Sequence, residues 1–107
     1  MIQVIYYRSH NRLTVEGHAR SGESGHDLVC ASASILAYTL AANVGNLSDT
    51  GHVRIESMEL VPGKAEIGCK SRSGVSAVVG RIFESICVGF ELLARDYPQY
   101  ISYEIHG

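Results

Sequence analysis

Apolar and polar residues alternate through IQVIYYR, the pattern breaks at SHN, and it resumes through RLTVEGHA with Leu13 and Val15 on one face. A period of two is that of a half-buried strand, so this stretch predicts a β-hairpin. The regime then changes. DLVCASASILAYTLAANVGN is almost free of charge and crowded with Ala and Ser. Asp27 at its head is a preferred N-cap whose side chain can accept from the amide of Cys30, and Gly45 and Asn46 mark an end. A helix of about five turns is expected, buried on most sides and in close backbone contact with its neighbours.

HVRIESMELV and KAEIGCK alternate again, joined through Pro62 and Gly63, a turn pair, and predict a second hairpin. A second helix is expected to begin near Ser73 or Gly74 and to bury Val75, Val78, Ile82, Ile86, Phe90 and Leu93, which recur at three- and four-residue spacing until Pro98 stops the pattern. YISYEI then sets Ile101, Tyr103 and Ile105 against Ser102 and Glu104 as a last strand. The order β-β-α-β-β-α-β describes an α+β fold, two helices packed on a mostly antiparallel sheet. Tyr6, Tyr7, Phe83 and Phe90 are expected in its core, and residues 1–107 are read as one domain.

Composition narrows the function classes. With 46% apolar and 19% charged residues the chain is globular rather than disordered. A net charge of −2 without a Lys/Arg cluster argues against direct nucleic-acid binding. No uninterrupted apolar run approaches the roughly 18 residues of a membrane span, so no membrane role is expected. MIQVIYYRSHNRL lacks a basic region followed by an apolar core and a cleavage site, which implies a cytoplasmic address. Three cysteines without a C-x-x-C pair suggest neither a disulfide framework nor a zinc knuckle. Cys69 alternates with Ile67 in a strand and Cys87 lies beside Ile86 in a helix stripe, so both are read as core.

The candidate chemistry sits in GHARSGESGHDLVC, residues 17–30. Cys30, three residues after the Asp27 cap, falls where free amides and the helix macrodipole favour an anion, and a thiolate is such an anion. His18, at a strand end just after Gly17, is the candidate base, and His26 is its rival within the loop. Asp27 can cap the helix or polarise His18. Ser34, one turn past Cys30, can hydrogen-bond in the site or return to the carbonyl of Cys30. The plain alternative is that Cys30 is one more small residue on a buried helix. RSGESG lacks the Lys-Ser/Thr ending of a phosphate loop and the three-glycine spacing of a dinucleotide site. Leu36 stands where a cysteine phosphatase carries Arg, and His18, His26 and Cys30 lack the rigid ligand spacing of a zinc site.

At GHARSGESGHDLVCASASIL the sequence resembles the ribosomal-processing cysteine protease family, Prp. The match runs through Gly17, His18, Gly22, Gly25, Asp27, Val29, Cys30, Ala31 and Ser34, with ASAS where AAVS is more usual. The resemblance implies a homodimeric, cytoplasmic bacterial endopeptidase without cofactor or metal. Its substrate would be the N-terminal extension of ribosomal protein twenty-seven of the large subunit, cut after an aromatic pair and before a small residue. It further implies Cys30 as nucleophile, His18 as general base, Asp27 and Ser34 in support, and a substrate loop holding Gly17, Ser21, Gly22 and Gly25 that opens to admit an extended peptide. The competing class is a non-catalytic ribosomal-protein-binding or ribosome-associated module in which His18 and Cys30 are incidental.

Overall fold

The structure is a computed structural model that describes residues 1–18 and 26–107, His26 by its backbone. The elements are β1 (Ile2–Tyr7), β2 (Arg12–Glu16), α1 (His26–Asp49), β3 (Val53–Val61), β4 (Lys64–Ser71), α2 (Ser76–Asp96) and β5 (Ile101–His106). The sheet order is β3-β4-β2-β1-β5; β5 runs parallel to β1 and the other pairings are antiparallel. This is the expected α+β arrangement. SHN, where the strand pattern breaks, lies in a short 3-10 turn, Arg8–His10, and Asn11, which closes it, takes φ 47°, a left-handed angle Asn tolerates.

Alternation decides which face the helices cover. Ile2, Val4 and Tyr6 of β1, Leu13 of β2, Ala65, Ile67 and Cys69 of β4 and Ile101 of β5 are buried together. The register sets Tyr6 opposite Leu13 and Val4 opposite Val15, which keeps those pairs on one side of the pleat. Val29, Ala33, Ala37, Leu40 and Val44 of α1 close over that face beside Val79, Phe83, Cys87 and Phe90 of α2. The Tyr6 and Phe83 rings stack at 6.0 Å between centroids.

Four expectations need correction. First, α1 does not stop at Gly45 and Asn46 but runs to Asp49, because Val44 and Leu47 still pack on the core. Its end is set by Gly51 at φ +80°: the His52 N–H donates to the Leu47 carbonyl and the Gly51 N–H to that of Ser48, both bonds of a Schellman cap. Second, α1 is buried on one side only. Leu28, Ala31, Ile35, Tyr38 and Ala42, spaced by threes and fours, face outward, since the sheet and α2 cover just the opposite face. By length and composition α1 could cross a membrane, yet its inner face is the cover of the sheet. Third, α2 begins at Ser76, after Gly74 turns the chain at φ +91°, and its fully buried stripe is Val79, Phe83, Cys87 and Phe90, with Val78 exposed. Val78 and Val79 are both apolar, so periodicity alone leaves the two neighbouring stripes equivalent, and the direction of the sheet decides between them. Fourth, Tyr7 is not core: its side chain projects from the open face of the sheet and meets the His106 ring edge-on at 5.4 Å.

Candidate active site

One end of the sheet gathers the parts that the sequence separates. There β2 finishes at Glu16, the β3–β4 turn passes through Pro62 and Gly63, β1 begins, and α1 enters above them. Since α1 starts at His26, Asp27 stands within the first helical turn rather than before it as the cap. Its carboxylate therefore favours the positive end of the helix by charge. Cys30 follows, half-buried and packed against the core just after the fully buried Val29.

Cys30 opens onto a cavity of about 90 Å³. Ala33, Ser34, Ala37 and Tyr38 continue its wall along α1, and Gly17, Leu60, Gly63 and Lys64 close it from the strand ends. Small side chains at Ala33 and Ala37 leave the space open, and Ser34 and Tyr38 are exposed at its side. The structure thus brings Cys30, Ser34 and Gly17 of the predicted site around one cavity.

His18 is exposed, but its backbone is pinned. Gly17 takes φ +106°, and a Cβ there would collide with the Met1 carbonyl oxygen, so only glycine fits. The Gly17 N–H donates to the Gly63 carbonyl at 2.9 Å, and the Met1 nitrogen donates to the His18 carbonyl at 3.0 Å. The His18 imidazole lies against Gly63. Ser21, Gly22 and Gly25 lie outside the described residues, as does the side chain of the rival base His26. Among the described residues no group of three His, Cys, Asp or Glu side chains could share a metal ion.

In the sequence Pro62 and Gly63 read only as a turn, and nothing local marks Leu60, Gly63 or Lys64 as the far wall. The signal exists in the register, where Glu16 pairs with Lys64, but reading it requires knowing that β4 lies beside β2, a non-local pairing. A larger cavity, about 550 Å³, lies on the open face of the sheet across from Cys30. It is lined by Gln3, Ile5 and Tyr7 with an Arg12–Glu66 ion pair at 2.6 Å, and no cysteine faces it.

The other thiols are set apart by their surroundings. Burial pushes the Cys87 thiol up to about 11, Glu84 adding to the effect while a hydrogen bond with the Tyr103 hydroxyl opposes it. Burial, then Glu56, raises that of Cys69. Alkylation by iodoacetamide at pH 7.5 should therefore modify Cys30 on the order of 100-fold faster than Cys69 or Cys87 in the native protein. Peptide mapping over time checks this, and equal slow labelling of all three would contradict it.

A family model described as Cysteine protease Prp matches residues 1–102. The Ribosomal processing cysteine protease Prp of Mycoplasma pneumoniae is 31% identical over 100 residues, covering 90% of this chain and 88% of that protein. Among solved structures, SMU.848 from Streptococcus mutans superposes with a TM-score of 0.69 at 27% identity, over 99% of this chain and 94% of the other. The ribosomal processing protease Prp of S. aureus, solved with a covalently linked product peptide, also reaches 0.69, at 18% identity over 97% and 96% of the two chains. That last likeness bears on the fold alone.

Proposed function

This chain belongs to the cysteine protease Prp family, and from that premise we propose that it is a cytoplasmic endopeptidase acting through Cys30 and His18. The observation that carries the reading is that Cys30 and Gly17 line one small cavity whose wall includes Gly63, and that the His18 ring, one residue beyond Gly17, rests against that same Gly63. In this reading Cys30 Sγ attacks the scissile carbonyl carbon as its proton passes to the His18 imidazole, and the imidazolium then protonates the leaving amine. A water, deprotonated by the same imidazole, hydrolyses the thioester and restores the thiol. The Asp27 charge supports the helix entrance, Ser34 offers a hydroxyl on the cavity wall, and Gly17, Ser21, Gly22 and Gly25 belong to a loop that receives the peptide. No cofactor or metal is needed for these steps.

The proposed substrate is the N-terminal extension of ribosomal protein twenty-seven of the large subunit. Support comes from the Mycoplasma relative, whose name states ribosomal processing. Incubation with that full-length ribosomal protein should give two fragments whose masses sum to the substrate plus one water. A stable complex with the substrate left intact would favour the binding-module reading instead.

We further propose that two copies associate through α1. Leu28, Ile35 and Tyr38 are 56%, 62% and 54% exposed and lie, with Ala31 and Ala42, on the stripe that faces away from the core. Three- and four-residue spacing of exposed apolar residues is the pattern of a helix that packs on another helix. Light scattering should give twice the 11.6 kDa chain mass, and Ile35→Glu should reduce it to the single chain with the far-ultraviolet spectrum unchanged. A monomeric wild type, or an unaffected variant, would remove this interface.

A further inference from the structure

We propose that Gly63 is a positioning residue for the His18 imidazole, an inference that rests on reading His18 as the general base. A Cβ built on Gly63 would collide with His18 Nε2 and stand 2.7 Å from Cε1 and 3.3 Å from Cδ2. One side of the ring thus lies along the turn at a distance that only a hydrogen allows. The turn itself is held: Gly63 accepts the Gly17 N–H at 2.9 Å, and the β2–β4 ladder carries it through the Glu16–Lys64 pair. Gly63 also borders the cavity onto which Cys30 opens. A base on an exposed side chain samples several rotamers unless a neighbour limits them, and proton transfer needs the imidazole within hydrogen-bond reach of its partner. Gly63, which borders the thiol's cavity, supplies a shelf against which the ring rests. A methyl group there would displace the ring rather than the fold, because the group that must move is the far end of an exposed side chain.

A matched control exists in the same chain. Gly63 has φ +79° and Gly51 has φ +80°, but around Gly51 nothing lies within 4 Å of where a Cβ would be. Gly51→Ala therefore imposes the same backbone strain at the far end of α1, without touching the site. Both variants should lose similar stability. Only Gly63→Ala should lose kcat, by about 100-fold, the scale on which small misplacements of reacting groups act. Because Gly63 also borders the cavity, a merely steric effect on peptide binding would raise KM and leave kcat alone. The second readout avoids substrate altogether: the pH profile of Cys30 alkylation by iodoacetamide in Gly63→Ala should move to coincide with that of His18→Ala, while Gly51→Ala keeps the wild-type profile. Gly63→Asn and Gly51→Asn repeat the comparison with a residue that tolerates left-handed φ, should the Ala variants fold poorly. Equal kcat and unshifted profiles in the Gly63 and Gly51 variants would overturn the positioning role while leaving His18 in place. Wild-type kcat and profile in His18→Ala would overturn the base assignment itself, and the positioning role with it.

Discussion

Cys30→Ala and Cys30→Ser should each abolish cleavage of the ribosomal-protein substrate, with a loss of at least about 10⁴-fold in kcat, the scale of removing a nucleophile from a unit that acts together. Serine is the more telling of the two. It keeps nearly the shape of the side chain, but its hydroxyl ionises far above any value that one imidazole can bring near neutrality, whereas a thiol starts at about 8.5. Half-burial of Cys30 against the core means that either change removes little packing, so the melting temperature should move by no more than a few degrees. Fragment analysis by mass spectrometry, alongside thermal melts, checks both halves. Turnover retained in either variant would exclude the thiol mechanism, and collapse of the fold would show that Cys30 serves packing first.

The second large effect is expected at His18. His18→Ala should reduce kcat by about 10²- to 10⁴-fold, the range for loss of a positioned general base, while His26→Ala keeps most of the activity. His18 is exposed, so its removal should leave stability unchanged. The distinction rests on architecture: the backbone of His18 is fixed through Gly17, Gly63 and Met1 at the same sheet end that α1 enters. Steady-state kinetics of the two variants decide the assignment. A reversed ranking, with His26→Ala the inactive one, would move the base to the start of α1.

What could be read from the sequence was what local physics determines. Strand alternation through IQVIYYR and YISYEI located β1 and β5, because a side chain's face in a strand depends only on its neighbours along the chain. His18 and Cys30 stood out for the same reason, one at a strand end and one near a helix start. Whatever depended on packing between elements was not legible. Gly45 is a local helix-ending signal that was overridden once Leu47 had a core to pack on, and the apolar outer stripe of α1 was counted as buried because the sequence does not say how many neighbours a helix has. Residue type alone points Tyr7 to the core, although its place in the alternation puts it on the face opposite Tyr6. Gly63 is the sharpest case. Its Pro-Gly context explains the turn completely, and its contact with His18 emerges only when β4 is placed beside β2.

The central claim is that Cys30 carries the acyl group between the two steps of peptide hydrolysis. Rapid mixing of the protein with the proposed ribosomal-protein substrate, quenching in acid and weighing the intact chain tests it most directly. The account predicts a transient species heavier than the chain by the mass of the released N-terminal fragment less one water, mapped to Cys30, rising before the free fragment and absent in Cys30→Ala. Cleavage proceeding with no such species, or an adduct mapped to Cys69 or Cys87, would contradict it.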